Sequence, residues 1–301
     1  MGSTMDDDQT IDVRSERHEG RVAPHDRLWT PWRMRYIAGG AGEEGCIFCN
    51  RRDADDDTAA LVLYRGRLAY VIMNLFPYNT GHVMMVPNAH GDTLERVPPG
   101  ALVEMAALAP SVTTALRRVL RCDGFNIGLN IGAISGAGVA EHLHQHVVPR
   151  WRGDANFMPI LASTMVLPEL IPVTYAKVRA ELERELLDAR QILVVTLTEE
   201  DRVVLLHDNR LPDATAVPDT PLWRSAIDAV VEIASDVEVA GWAGERYSGE
   251  RDTIAPPALV IRVRSARAAP RWRAVPVTEV LEGQDESLRE TVRRALHAVA
   301  P

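Results

Sequence analysis

Glu141-His-Leu-His-Gln-His-Val-Val-Pro-Arg150 sets three imidazoles at alternate positions, His142, His144 and His146, just ahead of a proline. Side chains two apart on a β-strand leave the same face, so this spacing predicts one strand carrying a row of imidazoles. An imidazole titrates near pH ~6.5 and can act as nucleophile, proton carrier or metal ligand. A lone histidine is most simply structural, but three at this period mark a site.

Working outward, residues 125–131 read as a strand that enters the small-residue turn Gly132-Ala-Ile-Ser-Gly-Ala-Gly138 and returns as the histidine strand. Glycines there either let backbone amides approach a phosphate or simply make a tight turn. Further back, residues 59–64, 68–73 and 82–87 are strand candidates, the last two joined by the loop 74–81. Residues 101–120 read as a helix kinked at Pro110, because the apolar pattern resumes beyond the proline. After an irregular extension at 151–172, residues 173–190 form a helix of long-chain residues whose charges suit a solvated face.

The N-terminal end differs in character. Residues 1–24 are acidic and aperiodic, a disordered arm, and residues 28–37 gather Trp29 and Trp32 into an aromatic cluster that must dock on the domain or on a partner subunit. Cys46-Ile-Phe-Cys49 has the spacing of metal ligands or of a redox pair, and Cys122 suits a buried small hydrophobe.

A second period begins at residue 192. Strands are expected at 192–197, 202–207, 237–240, 259–264 and 272–276, a loop at 211–221, and helices at 222–234 and 287–299. The chain of 301 residues therefore divides into an arm (1–24), a first domain (25–187) and a second α+β domain (188–301). Its net charge of -9 argues against a nucleic-acid partner, since such proteins neutralise phosphates with Lys and Arg. Local groups such as Arg150 and Arg152 can still make a positive pocket for a small anion. With no long apolar run and no basic-then-apolar start, neither a membrane span nor a secretion signal is expected, and the protein is placed in the cytoplasm.

Residues 28 to about 172 resemble the histidine-triad superfamily of nucleotidyl hydrolases and transferases, which shares its fold with galactose-1-phosphate uridylyltransferase. The nearest resemblance is to the actinobacterial diadenosine tetraphosphate phosphorylases, carried by His142-Leu-His-Gln-His-Val-Val-Pro-Arg-Trp151, Gly153-Asp-Ala-Asn-Phe-Met158 and Leu28-Trp-Thr-Pro-Trp-Arg33. It implies an α+β fold: a five-stranded antiparallel sheet with helices against it, assembled as a homodimer or tetramer. It also places the nucleophile at His144, attacking the α-phosphorus of a dinucleoside polyphosphate, with inorganic phosphate or water then releasing the nucleotide. The carbonyl of His142 would hold the ring proton of His144, and His146 and His82 would lie beside the phosphates. Asn74 would bind the ribose and Asn130 lie near the phosphates. Gly138-Val139 stands where better-known branches carry Gln then Ser or Thr, leaving backbone amides for the phosphate.

By the same resemblance Cys46, Cys49, His90 and His142 form a closed structural zinc set, while a reduced buried pair and a redox pair remain alternatives. Magnesium would arrive with the polyphosphate, without a dedicated site. The C-terminal region resembles a degenerate Nudix domain. Its metal box would map to Ala214, Thr220, Asp228-Ala229 and Glu232-Ile233, and only Glu232 survives, too little for a magnesium site. The leading functional expectation is phosphorolysis of diadenosine tetraphosphate to ATP and ADP. The alternatives are a hydrolase or nucleotidylyltransferase acting on another nucleotide conjugate, and a non-catalytic nucleotide-binding scaffold.

Overall fold

The computed structural model describes residues 44–135, 138–154, 169–198, 202–244 and 258–299. The expectations for the arm, the aromatic cluster at 28–37 and the part of the extension at 155–168 lie outside the described residues, as do residues 199–201 between the first two strands expected in the second domain.

The first sheet has five antiparallel strands: β1 (Val62–Arg65), β2 (Ala69–Met73), β3 (Val83–Pro87), β4 (Gly124–Leu129) and β5 (Gln145–Arg150), in the order β1-β2-β3-β5-β4. Strands β2 and β3 are buried at every residue, because both faces of the sheet are covered. Val71, Met73, Val83 and Met85 join the core under α2 (Pro99–Leu120) and α3 (Ile171–Leu187). The alternate residues Tyr70, Ile72, Met84 and Val86 meet Phe48 of α1 (Ile47–Asp53), a helix that the Cys-x-x-Cys spacing had not announced. Pro110 sits inside α2 without ending it, as the resumed apolar pattern predicts.

The second sheet is mixed. It comprises β6 (Gln191–Thr198), β7 (Val203–His207), β8 (Asp213–Thr215), β9 (Ala234–Ala243), β10 (Ala258–Ala266) and β11 (Trp272–Pro276), ordered β11-β7-β6-β10-β9 with β8 against β6. Among the described residues of this sheet only the β6–β10 pair is parallel. One face packs on α3 and on α4 (Leu222–Asp228), the other on α5 (Val277–Glu282) and α6 (Glu286–Val299). The helix expected at 222–234 therefore stops at Asp228; the turn that follows lets Val230 and Ile233 reach the core before β9 begins. The expected loop at 211–221 contains β8, and α5 was not anticipated.

The largest correction concerns α3. Its residues from Thr174 to Ala176 and from Val178 to Glu183 are buried, where a solvated face was expected. The helix lies between the two sheets, so its charges had to be paired inside. Arg179 bonds Glu183 at 2.9 Å and the Leu63 carbonyl at 2.5 Å, while Glu181 bonds Arg118 of α2 at 2.6 Å. One hydrophobic core runs from β2 and β3 through α3 to β9 and β10. Among the described residues no helix is long and apolar enough to cross a membrane.

Candidate active site

His144 is buried on the α1 side of the first sheet, and its Nδ1–H donates to the carbonyl oxygen of His142 at 2.8 Å. A carbonyl only accepts, so the ring carries its proton on Nδ1 and keeps the lone pair on Nε2. Burial lowers the His144 pKa below its ordinary value, against the opposing pull of the His142 carbonyl, and favours the neutral ring. Phe48 packs against this imidazole, with ring centroids 4.8 Å apart.

His146 lies on β5 opposite Met84 and meets His82, which enters β3. The backbone N–H of Tyr78, an unambiguous donor, reaches His82 Nδ1 at 3.0 Å, and Asn74 Nδ2 approaches the same atom at 3.2 Å. In the neutral ring the His82 proton is then on Nε2 and donates to His146 Nδ1 at 2.9 Å. It follows that neutral His146 bears its own proton on Nε2. Asn130 lies 3.3 Å from that nitrogen, and its amide must turn Oδ1 toward the ring to accept. The chain of bonds thus has one direction, from the Tyr78 amide outward to His146 Nε2–H.

His142 faces the other way. Its Nε2–H donates to the Pro87 carbonyl at 2.9 Å, leaving Nδ1 toward Cys46 Sγ at 3.3 Å and Cys49 Sγ at 3.7 Å. His90 Nδ1 lies 3.5 Å from Cys49 Sγ. The ligating atoms of Cys46, Cys49, His90 and His142 all lie within 4.8 Å of one another, a cluster able to hold a metal ion. The donor chemistry fits, since the Pro87 carbonyl fixes the His142 tautomer that exposes Nδ1, the usual arrangement behind a metal-bound imidazole. Burial raises the Cys46 thiol pKa, so a cation entering here must displace its proton.

The three imidazoles do not share one strand. The ladder begins at Gln145, so only His146 belongs to β5. Leu143 instead gives its N–H to the Gly91 carbonyl at 2.6 Å, and His142 turns toward the cysteines. Asn74 and Asn130 stand beside His82 and His146 respectively. Gly138 is half-buried in a bend, and its neighbours Gly136 and Ala137 lie outside the described residues. Arg150 is bound by Asp154 through two hydrogen bonds of 2.6 Å, so it is not the open cation that the sequence suggested. Phe48, Tyr78 and the Pro87 carbonyl were not foreseen; a helix through the Cys-x-x-Cys stretch would have been the signal for Phe48.

The profile of the HIT domain matches residues 56–153, which include β1 to β5 and the three histidines. The AP-4-A phosphorylase of Mycobacterium tuberculosis is 36% identical over 195 residues, an alignment that takes in 100% of that protein and 60% of this chain. The chain belongs to the HIT family. The adenylylsulfatase HINT3 of Arabidopsis thaliana is 30% identical over 112 residues, covering 55% of that protein and 37% of this chain. A solved zinc-bound histidine triad family protein from Mycobacterium smegmatis aligns with 48% of this chain and 96% of its own at 28% identity and a TM-score of 0.39. The second sheet lies beyond the HIT match, which ends at residue 153.

Proposed function

We propose that this HIT protein transfers a nucleotidyl group from a dinucleoside polyphosphate through His144, with inorganic phosphate as acceptor. The observation that carries the reading is the His144 Nδ1–H bond to the His142 carbonyl, which leaves the Nε2 lone pair for attack. Binding alone would need no such tautomer. The similarity to the mycobacterial AP-4-A phosphorylase supports diadenosine tetraphosphate as substrate.

In the first step Nε2 of His144 attacks the α-phosphorus. A P–N bond forms, the P–O bond to the remaining polyphosphate breaks, and ATP leaves. His146 Nε2–H, exchanging Asn130 for the substrate, donates to the oxygen on which charge develops. In the second step a phosphate oxygen attacks the same phosphorus, the P–N bond breaks, and ADP departs from a restored neutral imidazole. Asn74 and His82 position the ribose end and His146. Cys46, Cys49, His90 and His142 would hold a structural zinc, whose closed set of two sulfurs and two nitrogens organises the fold without activating water.

We place the pairing of a second copy, giving a homodimer, at the edge of β4, where Ile127 is 46% exposed; assembly into a tetramer is not required for this chemistry. A second reading, transfer of the adenylyl group of another conjugate to water, draws on the adenylylsulfatase relative. Product analysis separates the two. Incubation with diadenosine tetraphosphate should give ATP and ADP only when phosphate is present. Formation of ATP and AMP in phosphate-free buffer would make the protein a hydrolase, and no turnover in either buffer would remove this substrate.

A further inference from the structure

The candidate metal cluster and the imidazole of His144 share two structural links. The first is His142 itself: its ring nitrogen faces the cysteines, and its carbonyl accepts the His144 proton at 2.8 Å. The second is α1. Cys46 is its N-terminal cap and Cys49 lies in its first turn, and between them Phe48 projects onto the His142 and His144 rings, at centroid distances of 5.5 and 4.8 Å. Phe48 is 4% exposed, and its own carbonyl accepts the Tyr70 hydroxyl at 2.7 Å, so the ring has a fixed seat. His90 completes the set one residue before Gly91, whose carbonyl takes the Leu143 N–H at 2.6 Å and ties the segment between His142 and His144 to the same corner.

We propose that this cluster, when loaded, is a positioning device for His144, acting through the His142 carbonyl on one side of the imidazole and the Phe48 ring on the other. Cys46, Cys49, His90 and Phe48 are then positioning residues, and none of them touches the reacting phosphorus. Four ligands from α1, from the segment after β3 and from the segment before β5 would be drawn to one point, which fixes α1 against the backbone at His142. Rate is sensitive to such fixing, since a displacement of about 1 Å at a reacting group costs on the order of 100-fold. The inference rests on the reading of His144 as nucleophile.

The test uses the full chain labelled with 15N-histidine, at one fixed pH. Long-range 1H–15N spectra report which ring nitrogen of each histidine bears the proton, and His144→Gln identifies the resonance. Zinc-loaded protein should show His144 protonated on Nδ1. His90 is exposed, so His90→Ala weakens the metal site without opening the core. A chelator concentration that strips this variant, checked by metal analysis, should leave the wild type loaded. In the stripped variant the His144 signal should divide between the two tautomers, and zinc added back in excess should restore it.

Phe48→Leu keeps all four ligands and its zinc, and needs no stripping. Its His144 signal should move in the same sense, with formation of the nucleotidyl adduct slowed between about 10- and 100-fold and KM unchanged. If the metal merely stabilises the fold, its removal would lower the melting temperature and leave the His144 resonance in place. An unchanged resonance in either variant overturns the proposal. The spectra require no substrate, so they stand apart from the adduct test on His144→Ala, which decides whether His144 is the nucleophile at all.

Discussion

Arg118 of α2 donates to Glu181 of α3 at 2.6 Å, and the Glu181 side chain is fully buried. The second oxygen of that carboxylate accepts the backbone N–H of Leu222, at the start of α4, at 2.9 Å. One side chain therefore joins a helix under the first sheet to a helix under the second. Arg118 also bonds Glu185, so loss of Glu181 leaves it one carboxylate but leaves the buried Leu222 N–H without its acceptor. Glu181→Ala should cost about 1–3 kcal/mol of stability in urea unfolding. Glu181→Gln, which keeps an acceptor for Leu222, should lose less, and wild-type stability in the alanine variant would show the link to be idle.

His144→Ala should abolish the nucleotidyl adduct and lower turnover by at least about 10⁴-fold, as expected for loss of a nucleophile. Rapid acid quench and recovery of labelled nucleotide on the protein checks this directly. Retention of the adduct would move the nucleophile elsewhere.

His146 is expected to act on the oxygen that gains charge, so its contribution should depend on the leaving group. His146→Asn should slow diadenosine tetraphosphate cleavage by about 10²–10³-fold. A substrate with a more acidic leaving group should lose much less. Equal losses for both substrates would argue for a purely structural His146.

Asp154 ties the end of β5 to the loop between β2 and β3, accepting from Arg150 and from Asn79 Nδ2 at 2.9 Å. The Arg150 hydrogen bond lowers its carboxyl pKa from 3.8 to about 2. A depressed carboxylate pKa contributes stability that is present above the unfolded value and is lost as pH falls through the folded one. The stability gap between wild type and Asp154→Asn should thus hold steady down to about pH 4 and close between 3.8 and about 2. Urea unfolding at a series of pH values measures the gap, and a gap that closed near neutrality would contradict the assignment.

Ile127 stands 46% exposed on β4, at the edge of the first sheet. If that edge pairs with a second copy, Ile127→Glu should shift sedimentation from dimer to monomer, because a charge on an exposed strand opposes edge pairing. An unchanged sedimentation coefficient would place the subunit contact elsewhere.

The strands of the first sheet could be read within a few residues, because short apolar runs bounded by Asn, Pro and Gly leave little choice. The alternating histidines pointed to the right residues but to the wrong geometry. Period two places side chains on one face only where the ladder continues, and here it starts at Gln145. The charges of α3 misled for a different reason: composition cannot distinguish a charge facing water from one facing Arg118 or Asp57 across a buried contact. Both links to His144 involve groups that composition does not flag, a backbone carbonyl and a phenylalanine inside a short helix. In the second sheet Val230 and Ile233 fit a helical period as well as the turn they occupy, so the end of α4 was hidden.

The burial of α3 bears on how such a chain can be divided. A gene fragment ending near residue 188 would take from Glu181 the Leu222 N–H and from Arg184 the Thr220 carbonyl. Grafting the second sheet onto another nucleotide-handling domain would require that recipient to carry the same inward-facing charges on its last helix. Moving either sheet without the other would therefore uncover a helix whose charges are paired for a buried seat.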